Sequence, residues 1–217
     1  SHIRNVDAVG MVVRCFEDPD IAHVTPTLDP LVDCDIIDLE LALADLSTVE
    51  RRQAKVDSLA KAQPREFTAE LAFLDRLKAH LEKGRLASVL PLSDQESRFM
   101  VPLQLLTAKP RLYIANVGED CPPGGGPLSA LVAQRAEDQD TSAVMICAQI
   151  EADLSEWPPE EAAEYRAELD LAHTGLERLV HAGYQLLNLI TFFTATGTSV
   201  VRAWTRHRGQ TASEAAG

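Results

Sequence analysis

The chain has 217 residues, with 20 basic against 33 acidic side chains and a formal net charge of −13. Its 24% charged and 46% hydrophobic content is ordinary for a globular protein and excludes wholesale disorder. No apolar run approaches the ~20 residues needed to cross a bilayer, so no membrane partner is expected. Cys15, Cys34, Cys121 and Cys147 are widely spaced and form no CxxC pair. That usage suggests neither zinc nor a disulfide scaffold and points to a reduced, cytoplasmic setting, with Cys15, Cys34 and Cys147 read as small buried cysteines in preference to redox groups.

Charge is unevenly placed. Residues 117–170 hold 13 acids against Arg135 and Arg166, a local balance of −11. Phosphates would be repelled there, so non-specific nucleic-acid contact through this stretch and specific DNA binding are not expected. Residues 171–217 reverse the sign, with Glu177 and Glu214 against Arg178, Arg202, Arg206 and Arg208. This basic tail reads either as a solvated face or as a contact for RNA or the ribosome.

In chain order, Val9 to Phe16 is a short apolar run that reads as a strand. Leu39, Leu43, Leu46, Val49, Val56 and Ala60 then recur at helical spacings until Pro64 interrupts them. Phe67, Leu71, Leu74, Leu77 and Leu81 form a second such run ending near Gly84. Together they predict an antiparallel helical hairpin, serving as a structural arm or as a docking surface. Ser93 to Glu96 fits a capping box opening a third helix.

Arg111 to Val117 and Ser142 to Cys147 are two further apolar runs. None of the three alternates cleanly, which suits strands of a parallel sheet buried on both faces. Pro158-Pro159-Glu160 opens a helix, and Thr174 to Glu177 is a second capping box leading through Leu176, Leu179, Val180 and Leu187. Leu189 to Phe193 and Ser199 to Trp204 flank Ala195-Thr-Gly197 and predict a β-hairpin. The fold class is therefore α/β.

Chemistry is sparse. The six histidines form no HExxH pattern, and no GxSxG nucleophile motif occurs. Gly124-Gly125-Gly126 lacks a following Gly-Lys-Ser/Thr and reads as a turn rather than a phosphate cradle. The one site marked by position is Asn116-Val117-Gly118-Glu119, at the carboxyl end of an apolar strand, where open α/β sheets bind ligands. The Asn amide can pair with a purine edge, and Glu119 follows three residues on. Cys147-Ala148-Gln149, ending the next strand, offers backbone N–H groups beside it. Taken alone, the same residues also suit an ordinary loop.

Six blocks together resemble the Obg-like ATPases of the YchF family: Ser1 to Asp7, Val13 to Asp18, Glu40 to Asp45, Leu105 to Pro110, Ala182 to Tyr184 and Val201 to Thr205. Their order and spacing fit over essentially the whole chain. The resemblance implies the second half of a P-loop GTPase-like sheet domain with an inserted helical arm, then the start of a β-grasp TGS domain. The implied divisions are residues 1–37 and 105–184 for the GTPase-like domain, 38–104 for the coiled-coil arm, and 185–217 for a partial TGS domain.

In the family an Asn-x-x-Glu motif replaces the usual guanine-reading Asn-Lys-x-Asp. Asn116 and Glu119 match it, with Val117 against the base and Cys147-Ala148 as the backbone loop over the purine. A Glu is longer than the Asp that forks onto guanine N1 and N2, so ATP is the implied nucleotide, in preference to GTP. The ribosome or ribosomal RNA is the implied partner.

By the same comparison, the chain begins after the family's P-loop, first switch and Asp-x-x-Gly segment. No Gly-x-x-x-x-Gly-Lys-Ser/Thr occurs in the 217 residues, so ligands for Mg²⁺ and the β/γ-phosphates are expected only in a longer parent. Four base contacts at ~1 kcal/mol net each correspond to a dissociation constant of about 1 mM. No turnover is expected from this chain alone. The alternative function is a non-catalytic module that docks on the ribosome or a protein through its arm and basic tail.

Overall fold

The computed structural model describes residues 4–21, 27–169, 171, 173–196 and 200–211. The chain falls into two compact units, Ser1–Val9 with Leu31–Lys109, and Gly10–Pro30 with Pro110–Gly217.

The first unit is the helical one. α1 (Pro30–Ala60) and α2 (Pro64–Leu81) are separated where Pro64, tolerated at a helix start but not inside one, ends the run. Val49, Val56, Phe73, Leu74, Leu77 and Leu81 form the heart of its core. The apolar stripe of α1 differs in its first half from the one read in the sequence. Leu39 and Leu43 are about half exposed, whereas Cys34, Asp38, Ala42 and Asp45 are buried. The reason is Asp45, which turns that face inward because it caps a chain segment 61 and 62 residues away. Its carboxylate accepts the N–H groups of Leu106 (2.9 Å) and Thr107 (2.7 Å) and the Thr107 hydroxyl (2.8 Å). Arg4 donates to it at 2.9 Å. α3 (Asp94–Met100) starts at the Ser93–Glu96 capping box, with both reciprocal bonds formed.

The second unit carries a three-stranded parallel sheet in the order β1 (Val9–Cys15), β2 (Arg111–Val117), β3 (Ser142–Ile146). β2 and β3 pair in parallel with Leu112 opposite Ser142 and Asn116 opposite Ile146. α4 (Pro127–Asp138) and α7 (Gly175–Leu186) both pack on β2 and β3. α7 covers the face of Leu112 and Val144, and strand alternation puts Tyr113 and Ala115 on the other, where the Tyr113 hydroxyl donates to Gln139 at the end of α4. β2 is buried on both faces, as its unbroken apolar run implies. β1 is not: Met11, Val13 and Cys15 are buried, but Val12 is 61% exposed.

α5 (Ala148–Glu156) and α6 (Pro159–Glu168) follow β3, and Pro159 opens α6 as its position implied. The Thr174–Glu177 box caps α7 with bonds of 2.9 Å in each direction. The inward stripe of α7 is Gly175, Leu179, Ala182 and Leu186, at spacings of four, three and four. Of the apolar residues named along this helix from the sequence, Leu176 and Val180 are exposed. The close approach of Gly175 to Ile146 and Glu151 selects the small-residue side, since a side chain there would collide. β4 (Leu189–Thr196) and β5 (Val200–His207) form the antiparallel hairpin, with Phe192 opposite Trp204. The Gly197 of its expected turn lies outside the described residues.

Candidate functional site

β2 and β3 are parallel, so their carboxyl ends emerge on the same edge of the sheet. Asn116 and Val117 are the last two residues of β2 and Glu119 lies in the loop that follows; the residues after β3 are Cys147 and Ala148. Cys147 is the residue preceding α5, with extended backbone, rather than the last residue of the strand. It is therefore half exposed, not buried as its apolar neighbours suggested.

One bond joins the end of β2 to the start of α5. The Ala148 backbone N–H donates to Asn116 Oδ1 at 3.0 Å. Because an N–H needs an acceptor, this bond fixes the amide with its oxygen towards Ala148. The Asn116 Nδ2 then faces outward as a donor, the role a purine N7 acceptor requires. Among the described residues that Nδ2 and the exposed Glu119 carboxylate have no hydrogen-bond partner. Val117 is 6% exposed and offers the pocket little more than an apolar edge.

These residues line a cavity of about 600 Å³. Asn116, Val117, Glu119 and Ala148 form one side of it; Cys147 does not reach it. The rest of the lining includes a wall that the sequence did not mark as a site, Phe16, Glu17, Asp18 and Ile21. The available signal was an aromatic followed by two acids directly after β1. Gly118 joins the two sides. A Cβ placed on it would lie 2.8 Å from the Asp120 carboxylate and 3.3 Å from Phe16 Cβ, so only glycine fits without displacement.

Among the described residues the lining contains four carboxylates, Glu17, Asp18, Glu119 and Asp120, and no lysine or arginine. Such a cavity suits an uncharged ligand edge rich in N–H donors and repels a phosphate. The residues present do not fit Mg²⁺: among the described residues no three His, Cys, Asp or Glu side chains converge on a metal position. The glycine run is a turn leading into α4. Gly125 has φ +90°, and Ser129 accepts the Gly126 N–H at 2.9 Å.

A smaller cavity of about 70 Å³ lies behind the Val117–Glu119 loop and is lined in part by Cys121 and Cys147. Burial, then the Asp120 carboxylate and the neighbouring Cys147 thiol, push the Cys121 thiol above its ordinary value; a Gly126 N–H opposes them.

An α/β fold with this parallel three-stranded sheet is consistent with the P-loop GTPase-like class. No family model matches the chain. It is 40% identical over 219 residues to the "Ribosome-binding ATPase YchF" of Bacillus subtilis and 43% identical over 219 residues to that of Escherichia coli O157:H7. Each match takes in 100% of this chain and 60% or 59% of the relative. The structure of the Schizosaccharomyces pombe YchF GTPase superposes with a TM-score of 0.82 at 29% identity, over 99% of this chain and 59% of that one. The YchF family fits this chain, which is similar to the relatives so named over its whole length. It spans about three-fifths of the length of these relatives.

Proposed function

We propose that this chain is the base-recognition half of a cytoplasmic, ribosome-associated nucleoside triphosphatase that uses ATP in preference to GTP. The supporting observation is the Asn116–Ala148 bond, which turns the Asn116 donor into a cavity shared with Glu119. The bacterial relatives are named ribosome-binding ATPases and the yeast structure a GTPase, so the choice of base is the open point at this site. Glu119 favours ATP: its extra methylene disturbs the two-pronged acceptance of guanine N1–H and N2–H that an Asp provides, while adenine has only the N6 amine to satisfy. On this reading residues 38–104 are the inserted arm, 105–184 complete the GTPase-like domain begun in 1–37, and 185–217 begin a TGS domain.

Hydrolysis requires groups on the β/γ-phosphates and Mg²⁺, and the 217 residues hold no motif for them. The chain by itself binds base without turnover. The test is an equilibrium titration with fluorescent ATP and GTP analogues, with and without Mg²⁺. Binding near ~1 mM, stronger for ATP and indifferent to Mg²⁺, supports the reading. Affinity tighter than ~10 µM that depends on Mg²⁺ overturns the lack of a phosphate site. Ribosome co-sedimentation that persists with Asn116→Ala and ignores nucleotide would favour instead a docking module working through the arm and tail.

A further inference from the structure

We infer that Arg14 is a positioning residue for the purine cavity: its guanidinium holds the Phe16–Ile21 loop in place as the wall facing Asn116 and Glu119. The inference rests on the base-reading function proposed above and adds the element that fixes the width of the cavity.

Arg14 lies near the end of β1, on the side away from buried Val13 and Cys15. Its Nε donates to the Phe16 carbonyl at 3.0 Å, Nη2 to that of Asp18 at 2.9 Å, and Nη1 to that of Ile21 at 3.1 Å. The guanidinium carbon also sits 4.9 Å from the centroid of the Phe16 ring. One rigid fork thus takes three main-chain acceptors and an aromatic face from a single loop. Among the described residues the loop's other bonds are a long Ile21 N–H to Asp18 carbonyl bond of 3.4 Å and the Asp20 N–H on the Asp18 carboxylate at 2.9 Å.

Charge gives Arg14 a second effect. Glu17 and Asp18 line the same cavity as Glu119 and Asp120, four like charges that repel one another. A cation bonded to the loop's carbonyls offsets that repulsion. Phe16 abuts Gly118, so a wall that swings out also removes the apolar surface beside the base loop.

The test uses the full chain as wild type, Arg14→Ala, Arg14→Lys and Asn116→Ala, with adenosine as the probe. Adenosine affinity is read from amide chemical shifts, and loop order from hydrogen exchange at residues 16–21. Arg14→Ala is expected to raise adenosine Kd about tenfold and exchange in the loop by a similar factor, with residues 111–117 and 142–146 unaffected. Arg14→Lys keeps the charge but lacks the three-way fork, so it should fall between; it also carries the test if Arg14→Ala does not fold. Asn116→Ala should weaken adenosine while leaving loop exchange unchanged. A loosened loop with unaltered adenosine affinity, or a loop unmoved by either Arg14 substitution, overturns the inference. Absence of adenosine shifts at Asn116 and Glu119 in the wild type overturns the base-reading function itself, and the pocket role of Arg14 with it.

Discussion

Asn116 Oδ1 and the Ala148 backbone N–H, 32 residues apart in sequence, lie 3.0 Å from one another. This bond makes one side chain serve two purposes, tying the carboxyl ends of β2 and β3 together and aiming an amide donor at the cavity. Substitutions separate them. Asn116→Asp keeps an acceptor for Ala148 but loses the donor; Asn116→Ala loses both. Both should weaken adenosine binding about fivefold or more, but only Asn116→Ala should also destabilise the second unit, by ~1 kcal/mol. Nucleoside titration and urea unfolding of the two variants check this.

Glu119 is exposed and lacks a partner among the described residues, so its length can be altered with little cost to the fold. Glu119→Asp should restore the shorter carboxylate that matches the guanine N1–H and N2–H pair. The ratio of guanosine to adenosine affinity is expected to rise about tenfold, the equivalent of one further charge-assisted bond. A ratio that does not change would remove Glu119 from base selection.

What could be read beforehand was whatever has local causes. β2 showed in the sequence because both its faces are buried, and the boxes at Ser93 and Thr174 because three-residue spacing encodes their bonds. The Asn116 loop was legible from its place at a strand end. The Phe16–Ile21 wall was not, since its approach to Gly118 depends on two strands lying side by side. The α1 stripe was misread at Leu39 and Leu43 because Asp45, a polar residue by type, is buried by partners more than 60 residues away. Which side of α7 faces inward was not legible: tight packing at Gly175 and Ala182 selects the side with the least bulk and leaves Leu176 and Val180 exposed.

The buried Asp45 should dominate the stability of the first unit's entry. It is fully enclosed and accepts four bonds, from Arg4, the Leu106 and Thr107 N–H groups and the Thr107 hydroxyl. Asp45→Ala leaves two buried N–H donors without an acceptor and should cost ~3 kcal/mol or more. Arg52→Ala, at the partly exposed Arg52–Glu70 pair, strands a buried carboxylate and should cost less because water can reach it. The comparison is read from urea midpoints.

Thiol reactivity should divide the cysteines two and two. Cys15 and Cys34 are buried; Cys121 and Cys147 are half exposed on either side of the small cavity. Under native conditions iodoacetamide should label only Cys121 and Cys147, and all four after unfolding. Cys121 should label slowly near neutral pH and accelerate on raising it, because burial and Asp120 disfavour its thiolate. Peptide mass mapping across a pH series measures this.

Acid sensitivity should trace to the two capping boxes. Glu177 is held below its ordinary value mainly by the Thr174 backbone N–H, helped by His173 and the Thr174 hydroxyl. Glu96 is lowered first by the Ser93 backbone N–H, then by the Ser93 hydroxyl and by Arg76. A carboxylate whose folded value is depressed adds stability that is complete above its unfolded value, about 4.3, and disappears as pH falls through the lower folded value. Melting temperature should therefore be flat above about pH 5.5 and drop below it. Glu96→Gln with Glu177→Gln keeps an acceptor at each cap but cannot titrate. That double variant should lose less melting temperature than the wild type between about pH 5 and pH 3, while starting lower at neutral pH. An acid limb of unchanged depth would place the acid-labile groups elsewhere, among the other carboxylates of this strongly anionic chain.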